Sequence, residues 1–254
     1  MSDNPSRLQR LFVEDDLSDG AQILLAAEQA HYVANVLRMQ VGGSLLLFNG
    51  RDGEWLAHRI EGHKREVRFA AERALRPQPP AGDLDYAFAP LKHARLDYMI
   101  QKAVEMGAGR LVPVLTRYTQ VNRVNTDRMR ANAVEAAEQC GILSLPQVSE
   151  PVALDKWLAA LPRDRVLVFC DESAAHTDPI ATLRAAAPGP ASVLIGPEGG
   201  FASEERRMLH AHPGVVVLSL GPRILRADTA AVAALTLIQA VRGDLAGAAP
   251  GGRA

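Results

Sequence analysis

The chain has 254 residues, 48% of them hydrophobic and 22% charged, and its 28 basic and 29 acidic side chains leave a formal net charge of −1. This is globular composition, which excludes a disordered polymer and a uniformly basic nucleic-acid tail. No apolar run reaches the roughly 18 residues of a membrane helix, the opening MSDNPSRLQR has no signal-like apolar core, and two cysteines, Cys140 and Cys170, suit a reducing cytosol rather than a disulfide scaffold or a four-cysteine zinc site.

The first 76 residues read as short strands. Leu11–Val13 begins an extended run. Leu45–Phe48, the turn Asn49-Gly50-Arg51-Asp52-Gly53 and Glu54–Ile60 read as a β-hairpin. Val67, Phe69 and Ala71 alternate as in a half-buried strand. A helix from about Ala27 to Met39 fits between, with Val33, Val36 and Leu37 on one face. A small β-barrel is the natural product. Arg76-Pro77-Gln78-Pro79-Pro80 then stiffens the chain.

Beyond it, strands and helices alternate. Leu84, Tyr86 and Phe88 mark a strand, and Leu96, Met99, Ile100 and Ala103 share one face of a helix, Arg95–Met106, that Gly107 stops. Then follow a strand at Arg110–Leu115, a helix at Asp127–Cys140 with Thr126 as its cap, and a short helix at Asp155–Leu161. Strands at Arg165–Cys170, Ser192–Ile195 and Val215–Leu218 alternate with helices at Pro179–Ala187, Ser203–His210 and Asp228–Arg242. Continuous apolar strands between helices predict a parallel sheet covered on both faces. The expected division is 1–76 barrel, 77–82 linker, 83–246 α/β domain and 247–254 frayed tail.

Walker A, GxGxxG, GxSxG and HExxH motifs are missing, which weakens the P-loop, dinucleotide, serine-esterase and zinc-protease readings. Gly196-Pro197-Glu198-Gly199-Gly200 follows one predicted strand, and Leu220-Gly221-Pro222-Arg223-Ile224-Leu225-Arg226 follows another. Loops at the carboxyl ends of parallel strands line the ligand crevice, and glycine lets backbone approach a ligand. Two tight turns explain the same pattern without a ligand. His210 and His212 read as surface polarity or helix-end capping rather than a metal pair, and both cysteines as buried, inert thiols. Arg110 to Arg130 holds five arginines and one aspartate, which fits RNA phosphates and a solvated face equally.

Three groups of residues together carry a family resemblance. The first is Arg10-Leu11-Phe12-Val13, His31–Arg38 and Leu47-Phe48-Asn49-Gly50; the second is Lys92 with Leu96–Gly107 (LDYMIQKAVEMG), Pro113–Arg117 and Glu135–Gln139. The third and most specific is Ile195–Phe201 (IGPEGGF) with Leu218–Arg226 (LSLGPRILR). In this order the chain resembles the bacterial 16S rRNA (uracil-N3)-methyltransferases of the SPOUT, or trefoil-knot, superfamily. The resemblance implies an N-terminal PUA-like barrel for RNA, a parallel-sheet α/β domain with a deep C-terminal trefoil knot, S-adenosyl-L-methionine as cofactor, a cytoplasmic homodimer, and 16S rRNA within the small ribosomal subunit as partner. It implies no metal.

Carried over residue by residue, the cofactor contacts would be Ile195, Gly196, Glu198, Gly199 and Gly200 on the first loop, and Leu218, Leu220, Gly221, Ile224 and Leu225 on the second. Uracil N3 must lose a proton to become a nucleophile, and it lies on the Watson–Crick edge, so the base must be splayed out. Glu198, Arg226 and Asp228 are the candidate catalytic groups, and Arg10, Arg38, Lys92, Arg117 and Arg123 the candidate RNA contacts. Ala227-Asp228 stands where many members have Thr-Glu, and Ile142 where an Arg is common. Three alternatives stand beside this reading: a non-catalytic RNA-binding or ribosome-assembly protein, a methyltransferase acting on another RNA, and an α/β enzyme acting on a small nucleoside or other metabolite.

Overall fold

The structure, a computed structural model, describes residues 8–62, 66–92, 94–121 and 123–245; the tail read at 247–254 lies outside them. The chain folds into two compact units, one holding the residues up to Pro80 together with Ala137–Leu145, the other Ala81–Ala136 and the residues from Pro146 onward. The short segment 137–145 gives no sign in the sequence of joining the first unit.

The first unit is a five-stranded sheet in the order β1-β3-β4-β5-β2. Its strands are β1 (Arg10–Phe12), β2 (Gln22–Leu24), β3 (Ser44–Phe48), β4 (Glu54–Ile60) and β5 (Arg68–Arg76). β3 and β4 form the expected hairpin, with Phe48 opposite Glu54, and β1 runs parallel to β3. Ile23, Val33, Leu45, Leu47, Ala57 and Phe69 are fully buried in the core that this curved, half-barrel sheet encloses. The Asn49 side chain closes the hairpin loop by accepting from the Arg51 and Asp52 amides, each at 2.9 Å. Asp52 accepts from the Leu17 amide and from Asn49, and these bonds hold its carboxyl below the usual range.

The helix expected at Ala27–Met39 is only one turn of α1 (Ala27–His31), followed by a π-helical turn, Tyr32–Val36. The Leu37 amide reaches back five residues to the Tyr32 carbonyl, and Arg38 leaves the turn at φ +50°. Two β-branched valines in five residues weaken the α ladder, and the wider turn still buries Val33.

A buried ionic tie completes this unit. Arg10 Nε donates to Glu54 at 2.8 Å, and Arg76 donates to both Glu54 oxygens at 2.8 Å and to the Gly141 carbonyl at 3.0 Å. Burial pushes the Glu54 carboxyl up, but the bonds from Arg76 and Arg10 outweigh it and hold it below the ordinary carboxylate range.

The second unit is a parallel sheet in the order β12-β10-β11-β6-β7-β8, with β9 also pairing β7. Its strands are β6 (Leu84–Phe88), β7 (Arg110–Leu115), β8 (Gln147–Val148), β9 (Val152–Ala153), β10 (Val166–Cys170), β11 (Ala191–Ile195) and β12 (Val215–Leu218). β8 and β9 are too short to show a period, so the sequence gives no warning of them. The helices are α2 (Ala94–Glu105), α3 (Thr126–Cys140), α4 (Leu154–Ala160), α5 (Pro179–Ala185), α6 (Ser203–His210) and α7 (Ala227–Arg242). α7 packs on β11 and touches both α2 and α5, whereas α4 and α6 contact each other, α4 packing on β7 and α6 on β12. β10 reads as an apolar run and β6 and β11 are buried along their whole length, because helices cover them on both faces; Asp85 and Ser192 are the polar residues within these strands.

Two local expectations are corrected. The cap of α3 is Asn125, not Thr126: its Oδ1 accepts from the Arg128 amide at 3.0 Å, while the Thr126 hydroxyl turns to Glu150. Cys140 is exposed rather than buried. No helix among the described residues is long and apolar enough to cross a membrane.

Candidate active site

A cavity of about 510 Å³ opens at the carboxyl ends of β10, β11 and β12. Since β10 lies between β11 and β12, their two glycine-containing loops flank its end, and one pocket forms from segments 20 residues and more apart. Ile195 and Leu218, the last residues of their strands, give it apolar walls. Gly196 lies against the Phe201 ring so closely that a Cβ there would sit 2.5 Å from it. The Phe201 ring is wedged edge-on against Phe169, centroids 5.1 Å apart. Gly200 has φ +68°, and a Cβ there would lie 2.6 Å from the Glu172 carboxylate. At both positions a side chain would clash with a neighbour already in place.

The expected residues Ile195, Gly196, Glu198, Gly200, Leu218, Leu220, Gly221, Ile224, Leu225 and Arg226 all line this cavity. Gly199 and Asp228 are not on its wall; the Asp228 carboxylate accepts instead from the Thr229 amide. Ile224 is 90% exposed, an apolar side chain held out at the mouth.

Several lining residues were not foreseen. Arg95, from the first turn of α2, forms an ion pair with Glu198. Asp171, just past β10, is buried and accepts from Arg206 at 3.1 Å and His210 at 3.2 Å, which fastens α6 beside the pocket. His210 is therefore a hydrogen-bond partner of Asp171, and His212 is partly buried, which pushes its pKa down. His176 Nδ1 lies 3.1 Å from Ser219 Oγ. The rule that strand carboxyl ends line the crevice points to Cys170, Asp171 and Glu172 once β10 is placed beside β11. Arg95 and Arg206 carry no such signal. Burial pushes the Cys170 thiol up to about 12. Arg223 and Arg226 form no ion pair among the described residues. No cluster of three or more metal-ligating side chains occurs among the described residues.

A family model for an RNA methyltransferase domain matches residues 77–239, more than half of the chain. The chain belongs to this RNA methyltransferase family. A second model, for an RNA methyltransferase PUA domain, matches residues 25–69. Ribosomal RNA small subunit methyltransferase E of Rickettsia conorii is 28% identical over 235 residues, covering 92% of this chain and 96% of its own. A Legionella pneumophila protein described as a methyltransferase and solved with bound SAM superposes with a TM-score of 0.81 at 30% identity, covering 92% of this chain and 98% of that one. The small-subunit methyltransferase E of Neisseria gonorrhoeae superposes at 0.84 with 23% identity, over 94% and 99% of the two chains, which supports the fold.

In this RNA methyltransferase the expected RNA contacts divide. Arg10 is committed inside the first unit, bonded to Glu54 and stacked on Gly141, which adopts φ +66°. Arg38, Lys92, Arg117 and Arg123 are exposed and form no side-chain ion pair among the described residues.

Proposed function

We propose that this chain transfers a methyl group from S-adenosyl-L-methionine to N3 of a uridine in 16S rRNA of the small ribosomal subunit. The observation that carries the reading is the pocket built from the IGPEGGF and LSLGPRILR loops around the end of β10, of a volume suited to a nucleoside-sized ligand. Its lining fits that cofactor: Leu220, Ile224 and Leu225 offer aliphatic faces for a purine, and Gly196, Gly200 and Gly221 let backbone approach its polar edges. The R. conorii relative and the SAM-bound L. pneumophila structure support the same substrate and cofactor.

When bound, S-adenosylmethionine supplies a methyl group activated on a sulfonium. The protein's work is then to hold the acceptor in line and to manage one proton. Three carboxylates line the pocket; Asp171 is held by Arg206 and His210, and Glu198, on the first loop and paired with Arg95, is the one assigned to accept the N3 proton. Arg226, with no carboxylate of its own, balances the negative charge that develops on the uracil. Asp228 lies off the wall and contributes through the first turn of α7. Lys92, Arg117, Arg123 and Arg38 hold RNA phosphates. The division into a barrel at 1–76, a linker at 77–82 and a catalytic domain at 83–246 belongs to this reading. So do the trefoil threading of the last loop, the homodimer and a cytoplasmic location.

The test is transfer of tritiated methyl from S-adenosylmethionine to small subunits from cells that lack the modification, followed by nucleoside analysis. Label in 3-methyluridine is expected. Label in another nucleoside replaces the target atom; cofactor binding without label in the subunits moves the substrate to another RNA.

A further inference from the structure

β7 ends in a turn whose Arg117 the mechanism uses and whose Tyr118 it does not. The Thr119 amide donates to the Thr116 carbonyl at 3.1 Å, and the Thr116 amide donates to the Thr119 hydroxyl at 2.9 Å. Glu205 accepts from the Arg117 amide at 2.7 Å and from the Ala202 amide at 2.9 Å, so one carboxylate ties this turn to the start of α6. Tyr118 is thereby set on a braced turn. It lies beside Gly199, where an added Cβ would be 3.4 Å from the Tyr118 Cβ, and Glu198 and Gly200 on either side of that glycine line the pocket. Yet the residue is 49% exposed. A large aromatic side chain thus stands on a braced turn next to the first pocket loop with much of its surface in solvent.

The charge around it is selective. Of the five arginines between 110 and 130, Arg110 pairs with Asp85, Arg128 with Asp97, and Arg130 with Asp127 and Glu150. Arg117 and Arg123, which bracket Tyr118 in the sequence, are exposed and form no side-chain ion pair among the described residues. An exposed aromatic ring on a segment that also carries exposed arginines without ion pairs is the chemistry that binds single-stranded nucleic acid, where bases stack and phosphates pair with arginine. We infer that Tyr118 is a stacking platform for an unpaired base of the RNA at the mouth of the pocket. This rests on the reading that the substrate is RNA, and it adds a binding residue that neither loop motif contains. Extruding a base costs stacking energy, and a platform at the rim returns part of it.

The experiment measures three quantities for wild type, Tyr118→Ala and Tyr118→Phe: KM for small subunits, kcat, and Kd for S-adenosylmethionine. The Ala variant is expected to raise KM about tenfold with the cofactor Kd unchanged, and Phe to restore the wild-type KM. A Tyr118→Trp variant, titrated with a uridine-containing single-stranded oligoribonucleotide, is expected to show fluorescence quenching that wild type lacks. A weaker cofactor Kd in Tyr118→Ala would make Tyr118 a prop for the Gly199 loop and overturn the inference. Active wild type with an unchanged KM in the Ala variant overturns it as well. If wild type transfers no methyl, the reading of the reaction fails; quenching in the Trp variant then still supports the platform, and its absence removes it.

Discussion

At the amino ends of the second unit's strands, Arg110 and Arg165 converge on Asp85, whereas at the carboxyl ends Arg223 and Arg226 face an open cavity with no carboxylate partner among the described residues. Asp85 is almost fully buried. It accepts from Arg110 Nε at 3.0 Å and from Ser192 Oγ at 3.1 Å, and Arg165 also pairs with Asp83. The same residue type is thus a rivet at one end and an unspent charge at the other. The reason lies in the topology. Every βα connection of a parallel sheet leaves from the carboxyl end, so variable loops collect there, while the amino ends are free to be locked.

Breaking the locked end should have the largest effect. Asp85→Asn takes the buried counter-charge from Arg110 and leaves Arg165 with Asp83 alone; breaking a buried pair costs at most about 3–5 kcal/mol, and the exposure of Arg110 and the remaining Asp83 pair hold the loss toward the lower end. Urea denaturation should show this loss, while cofactor affinity of the folded variant stays within twofold of wild type. An unchanged denaturation midpoint would remove the rivet from the account.

Gly196→Ala acts at the other end. The new methyl group meets the Phe201 ring, which is itself wedged against Phe169 and cannot move without displacing the pocket wall. Cofactor Kd, read by calorimetry, should rise about tenfold or more, within the roughly 5- to 150-fold that overpacking of about 1–3 kcal/mol on a binding wall corresponds to. The denaturation midpoint should move far less than in Asp85→Asn. Equal effects of both variants on both quantities would erase the distinction between the two ends.

Arg226→Ala sharpens it. The side chain is exposed and has no ion pair to lose, so stability should change by less than about 0.5 kcal/mol. Turnover at saturating RNA and cofactor should fall about tenfold or more, as a lost charge on a developing anion requires. Unchanged turnover would take Arg226 out of the mechanism.

The sequence showed much of this arrangement and hid a definable part. Strand ends and loops were legible because Ile195 and Leu218 close apolar runs and glycine-proline turns follow them. Pairings between distant residues were not. Nothing in Arg10 distinguishes it from Arg38, yet the first is bound to Glu54, 44 residues away, and the second stands in solvent at a positive φ. Arg95 and Glu198 lie farther apart still. Partner choice is decided by strand order, in which β11 separates β6 from β10, and local periodicity carries no information about that order.

Cys170 sets the lower limit of the comparison, because its position at the pocket end does not make it reactive. It lies at the end of β10 on the cavity wall, but burial raises its thiol to about 12, against about 8.5 for a free cysteine. The thiolate is the reacting form, so at pH 8 its population is lower by roughly a thousandfold than that of an unperturbed thiol. Iodoacetamide at pH 8 should therefore modify the exposed Cys140 and leave Cys170 intact, with cofactor affinity unaltered. Peptide mass spectrometry would read this directly. Rapid labelling of Cys170 at pH 8 would mean that the pocket wall opens in solution, and the two ends of the sheet would then differ in mobility as well as in charge.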